Sequence, residues 1–395
     1  DLESRFENTR STKLDLSYYN LDAEIEKALI KALGTNKTIV CLNLSCNRLE
    51  MRDDLVKVLG TNNTLTSLNL KSTGLETEVI KKLLMILKTN KSITNLDLSD
   101  QKSDLDSSNH CINGEDLVEA LGQNMTLVSL NLSNNSIDWS EIKSTTLNKN
   151  ETLKNLDLSN CNIDFKIVEL ENFLIQLKSL EELNLSSNNL TFRSEKAIAK
   201  ILTDNKTLRT LNLSSNKINL LIELEDKQNY DAFRSFNLNE FENALNKNQT
   251  LKSLDLSFNH LHLEAGRSLL RALRINKSIT DLNLSDNHIV SEIGNSLLEI
   301  KSIARINLKS TKISSDVIKA FADALRTNKI QLQSLNLSNN EISKDVIGLL
   351  IGALEENVSL KELDLSHIVE VGKLGEELKN SLEKNRTLKI LNLSH

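Results

Sequence analysis

Apolar positions along this chain follow one short phrase, Leu-x-Leu-Ser, which returns from one end to the other. Leu14-Asp15-Leu16-Ser17, Leu42-Asn43-Leu44-Ser45, Leu130-Asn131-Leu132-Ser133, Leu254-Asp255-Leu256-Ser257 and Leu335-Asn336-Leu337-Ser338 are examples. Fourteen starts occur, at 14, 42, 68, 96, 130, 156, 183, 211, 254, 282, 306, 335, 363 and 391. Most intervals run 26 to 29 residues; the exceptions are 34 (96 to 130), 43 (211 to 254) and 24 (282 to 306). In the second unit an apolar residue also stands three positions earlier, as Ile39-x-x-Leu42-x-Leu44, and this alternation predicts a half-buried strand. A helical pattern follows: Met51 to Leu59 carries Leu55, Val58 and Leu59 on one face, Gly60 suits a helix C-cap, and Thr61-Asn62-Asn63-Thr64 reads as the turn into the next strand.

A strand, a turn and a helix per unit predict a solenoid that grows by stacking units rather than by enlarging one core. Parallel strands pack about 4.8 Å apart and helices roughly 8–10 Å apart, so a stack should bend by roughly 20° per unit, strands inside and helices outside. The expected fold is therefore α/β: one domain over 1–395, about fourteen repeats, with a parallel sheet on the concave face and helices on the convex face of an open horseshoe. Longer units occupy 96–129 and 211–253, and both ends cut through a repeat.

The motif Leu-x-x-Leu-x-Leu-Ser-x-Asn-x-Ile/Leu plus a helix, at about 28 residues, resembles the ribonuclease-inhibitor class of leucine-rich repeats across essentially the whole chain. That class includes NOD-like receptor sensor domains and the Ran GTPase-activating protein. The resemblance implies a cytosolic, non-enzymatic horseshoe that grips a protein partner by its concave face or rim. It also implies two alternatives, a GTPase regulator and the sensor fragment of a larger receptor. The motif's Asn stands at Asn47, Asn135, Asn188, Asn216, Asn259, Asn287 and Asn340, and is replaced at Tyr19, Thr73, Gln101, Cys161, Thr311 and Ile368. Units lacking it must satisfy backbone groups of the turn in another way, and Cys161 is expected to be buried structure.

Composition narrows the function. Hydrophobic residues make up 39 % of the 395, only 3 % are aromatic and there is no proline. A net charge of −6 gives no electrostatic case for nucleic acid or anionic lipid. No apolar run reaches the length of a membrane span, no signal-peptide pattern opens the chain, and there is no initiator Met. Four cysteines do not make a disulfide scaffold and suggest a reducing compartment. Asn-x-Ser/Thr recurs inside the repeats, as at Asn36-Lys37-Thr38 and Asn43-Leu44-Ser45, so passage through a glycosylating lumen would decorate the strands themselves. The expected location is the cytoplasm, or a host cytoplasm if the chain is a secreted bacterial effector; abundant Asn, Lys and Ile suit an AT-rich genome.

No phosphate loop, zinc spacing or nucleophile elbow is present, so neither catalytic residues, a cofactor nor a small-molecule substrate is expected. Asp104-x-Asp106 lacks the Gly and Glu of a calcium loop, and His260, His262 and His288 lack a partner ligand at metal spacing. Candidate contact residues are those that break the uniform columns of the strand face. Arg305 and Lys309 share one strand and Asp281 and Asp286 its neighbour, either as a contact patch or as ion pairs among themselves. Tyr18, Tyr19 and Phe258 are the aromatics near this face, of which Tyr18 and Phe258 are taken as candidate anchors. Tyr230, Phe233 and Phe236 lie in the insert at 219–239, either as binding residues or as its packing. Trp139 is expected at a helix start, packed.

Overall fold

The computed structural model describes residues 11–50, 52–101, 111–140, 142, 150–218, 239–261, 263–287, 294–368 and 374–394. Two compact units are present, Asp1–Asn188 and Asn189–His395.

In the first unit each phrase forms a three-residue strand: β1 (Lys13–Asp15), β2 (Cys41–Asn43), β3 (Ser67–Asn69) and β4 (Asn95–Asp97). After β5 (Cys111–Asn113) come β6 (Ser129–Asn131), β7 (Ser136–Asp138), β8 (Asn155–Asp157) and β9 (Glu182–Asn184). The order β1-β2-β3-β4-β6-β8-β9 is parallel throughout, and repeat positions match one to one, as in Leu14↔Leu42 and Leu42↔Leu68. A slip of one residue would turn both leucines of a unit into solvent, so burial holds this register. The long interval 96–130 carries β5, which pairs with β7 in a separate two-stranded sheet, and the helix Gly114–Gln123. Trp139 follows β7 and is fully buried with its ring 6.5 Å from that of Phe173.

The second unit repeats the scheme with β10 (Thr210–Asn212), β11 (Ser253–Asp255), β12 (Asp281–Asn283), β13 (Arg305–Asn307), β14 (Ser334–Asn336), β15 (Glu362–Asp364) and β16 (Ile390–Asn392). The 43-residue interval adds no strand to this sheet, since Leu211 pairs directly with Leu254. The insert residues 219–238 lie outside the described residues, and with them Tyr230, Phe233 and Phe236; so do Asp104, Asp106, His262 and His288.

Within each unit, helices such as Ala23–Thr35, Arg52–Thr61 and Thr77–Leu87, or Ser315–Arg326 and Lys344–Ala353, pack on their sequence neighbours. Their apolar stripes, for example Leu55, Val56 and Leu59, close on the paired leucines of the strands. Ion pairs between successive units, such as Lys82–Asp53 and Arg271–Glu242, line the outer helical surface.

Helix ends differ from expectation. Gly34, Gly60 and Gly122 sit inside the final helical turn, not past it. The chain leaves the helix at an extended Asn instead, as at Asn36 and Asn124. The side chain of Asn62 shows why. Its Oδ1 accepts from the N–H groups of Thr64 (3.1 Å) and Leu65 (2.9 Å), and its Nδ2 donates to the Leu33 carbonyl of the preceding unit at 2.8 Å. Asn90, Asn124, Asn150, Asn248, Asn276, Asn357 and Asn385 likewise donate to the unit before. These amides, buried in every case but Asn385, close the turn and bolt each helix to the last one, which no glycine could do.

Candidate functional site

Strand residues flanking the buried leucines form the outward columns, and most of their polarity is consumed by the fold. The Asp or Asn between the leucines accepts the N–H two residues later in every unit, from Ser17 on Asp15 (2.9 Å) through Ser257 on Asp255 (2.9 Å) to Ser394 on Asn392 (3.2 Å). This uniform column ends each strand in an Asx-turn.

A second ladder lies just behind it. Asn287 donates through Nδ2 to the carbonyls of Leu256 (2.9 Å) and Leu284 (3.0 Å), while its Oδ1 accepts from the N–H groups of Asn259 and Leu261, both at 3.0 Å. Substituted units keep part of this pattern. Thr73 Oγ1 donates to Leu70 (2.7 Å), Gln101 Nε2 to the same carbonyl (2.6 Å), buried Cys161 Sγ to Leu132 (3.1 Å) and Thr311 Oγ1 to Leu308 (2.8 Å). Cys41, Cys46 and Cys161 are free thiols.

Between the two ladders runs a column that sequence reasoning missed. The residue after the Ser position has a left-handed backbone in thirteen successive units: Tyr18, Cys46, Ser72, Asp100, Asn134, Asn160, Ser187, Ser215, Phe258, Asp286, Ser310, Asn339 and His367, with φ between 52° and 61°. Within each compact unit the following repeat holds it there by a bond from its N–H, for example Phe258 to the Ser285 carbonyl (3.0 Å) and Asp286 to that of Lys309 (2.9 Å). Asn, Asp and Ser dominate this rim because a short polar side chain tolerates the conformation best. That preference was the available signal. Several rim neighbours also join hands: Ser72 Oγ to Asp100 Oδ2 (2.6 Å), Asn160 Nδ2 to Asn134 Oδ1 (2.8 Å), Asn339 Nδ2 to Ser310 Oγ (2.6 Å).

The candidate contact residues sort against this frame. Arg305 and Asp281 face each other in register on β13 and β12 and form a two-point ion pair, with Arg305 Nη2 2.8 Å from Asp281 Oδ2. The Asp281 carboxylate raises the guanidinium further above its ordinary range, and Glu362 adds to the effect. Lys309 is exposed, and neither it nor Asp286 has an ion pair or a side-chain hydrogen bond with a described residue. Phe258, Asp286 and Lys309 therefore stand on consecutive units of one edge. Phe258 is 54 % exposed although its backbone is left-handed. Tyr18 belongs to the first unit, is 79 % exposed and left-handed as well; a hydrogen bond with Cys46 raises its phenol above the ordinary value. Among the described residues no three His, Cys, Asp or Glu are grouped to hold a metal, and no helix is long and apolar enough to cross a membrane.

A parallel strand ladder backed by a helical layer and bolted by asparagines is a leucine-rich-repeat solenoid, and this chain is built of leucine-rich repeats. The profile described as Leucine Rich repeat matches residues 123–138, 149–169, 204–220, 247–270 and 276–297, and a second, Leucine Rich Repeat, matches 179–201 and 331–353. Among solved structures it is similar to an internalin (inlF) from Listeria monocytogenes str. 4b F2365, at 18 % identity and TM-score 0.52, over 100 % of this chain and 89 % of that one. No curated protein sequence matches it.

Proposed function

We propose that the chain is a non-enzymatic binding module that holds a protein partner on its strand face and left-handed rim, centred on Phe258. The observation that carries this reading is the cost of Phe258. A bulky residue in the left-handed region costs about 1 kcal/mol relative to the Asn or Asp found elsewhere on the rim. Exposing the ring forgoes the gain of burying it as well. The fold gains nothing from either, and a centrally exposed aromatic is what a protein interface uses as an anchor. Asp286 and Lys309 extend the contact along the edge, the Asp281–Arg305 pair flanks it, and Tyr18 offers an equivalent anchor in the first unit.

The finer setting also belongs to this proposal. One helix-bearing unit of about 28 residues supports the ribonuclease-inhibitor class of repeat. Three free thiols, and sequon asparagines such as Asn62, Asn90 and Asn124 buried in the inter-unit ladder, support a non-glycosylating, reducing cytoplasm. That cytoplasm is a host's if the protein is a bacterial effector.

Phe258→Asn tests the reading, since it separates folding from binding. Urea unfolding should show stability unchanged or raised by up to about 1 kcal/mol. Capture of a partner from cytoplasmic extract should fall at least tenfold. A variant that is less stable, or one that retains its partner fully, would refute the role given to Phe258.

A further inference from the structure

We infer that the partner presents a cationic side chain, arginine or lysine, to the notch between Phe258 and Asp286. This rests on the binding role proposed for Phe258 and adds the chemistry of what meets it. Elsewhere on the rim some polar neighbours satisfy one another, as Asp100 does with Ser72 and Asn339 with Ser310. Phe258 and Asp286 make no such contact. The neighbour preceding Asp286 is a phenyl ring, which cannot donate, and the carboxylate has no side-chain partner among the described residues.

An apolar ring face next to a carboxylate with no side-chain partner among the described residues is complementary to a side chain with an apolar stem and a positive end. The stem packs on the ring, the cation lies over its negative face, and the charge meets the carboxylate. An aliphatic side chain would satisfy only the ring, and an acidic one would be repelled by the carboxylate. Asp255, at the end of β11 in the same repeat as Phe258, places a second carboxylate nearby; its Oδ1 and Oδ2 accept from Ser257 and Asn283, which fix its orientation. Lys309 lies one unit beyond Asp286, so the incoming cation sits on the Phe258 side of the carboxylate, away from the like charge. Arg305 does not compete for the notch because Asp281 holds it at two points.

The test uses displayed random dodecapeptides panned on the full chain, followed by fluorescence polarisation with the selected peptides. Phe258→Ser and Asp286→Asn introduce residues the rim already carries at Ser310 and Asn339, so both variants keep the fold. The expected result is enrichment of Arg or Lys, a loss of about tenfold in affinity in each variant, and selection of acidic peptides by Asp286→Lys. Peptides that lose affinity with Phe258→Ser but ignore both Asp286 substitutions would overturn the cationic partner and leave the aromatic anchor standing. Peptides indifferent to Phe258→Ser, or no selection at all, would overturn both.

Discussion

Asn287→Ala is the sharpest test of how this solenoid is held together. The Asn287 amide is buried and its five contacts are all to backbone: Leu256, Leu284 and Ser285 carbonyls on the nitrogen, Asn259 and Leu261 N–H groups on the oxygen. Alanine removes them without offering water a route to the orphaned groups. Two buried N–H donors left unpaired at about 1–3 kcal/mol each give an expected loss of about 2–6 kcal/mol. Asn287→Thr separates the two halves of the amide. The hydroxyl can reach a carbonyl as Thr311 reaches Leu308, which recovers about 1 kcal/mol, but both N–H groups stay unpaired. Urea titration followed by circular dichroism, with the slope compared between variants, measures the difference. A loss below about 1 kcal/mol for alanine, or full restoration by threonine, would refute the accounting.

Two further outcomes follow from the same geometry. Gly60→Ala should stabilise the chain by about 0.5–1 kcal/mol, since Gly60 is inside a helix and an added methyl meets Ile86 at an ordinary 3.6 Å; Gly74→Ala, at φ +64°, should destabilise it. A thermal melt of both settles the pair, and a destabilised Gly60→Ala would contradict the helix end described here. Glu195 is buried against the start of the helix Asn239–Lys247, where its Oε1 accepts from the Phe241 N–H at 3.1 Å. Burial raises its carboxyl above the usual range, more than the Phe241 and Glu240 N–H groups lower it, and the Glu240 charge adds to the rise. A raised acid favours the protonated folded form, so its contribution is full below the ordinary glutamate range and is lost as pH climbs through the raised value. Glu195→Gln should remove that loss while keeping an acceptor oxygen, and urea midpoints against pH would show a flatter profile; an unchanged profile would contradict it.

Much of this was legible because the determinants are local and repeat. The alternation around Leu42 and Leu44 specifies a strand by which face must be dry, and the spacing of Leu55 and Leu59 specifies a helix for the same reason. The role of Asn47 and its equivalents, and the need for a substitute at Thr73 or Cys161, follow from counting the backbone groups of a turn. Burial of Cys161 and Trp139 followed as well.

What stayed hidden depends on the next unit rather than on the unit itself. Asn62 read as a turn residue because its carbonyl partner, Leu33, lies 29 positions away, and Gly60 was given the cap that Asn62 supplies. Charges at Asp281 and Arg305 left open a contact patch or a private pair; register placed them directly opposite each other and made the pair. Phe258 was visible as an aromatic, yet not as one held in a left-handed backbone by the Ser285 carbonyl. Period and alternation dictate which side chains are buried, since burial needs only a face. Which backbone groups and charges find partners is decided by stacking, since a hydrogen bond needs an atom that another repeat must bring within about 3 Å.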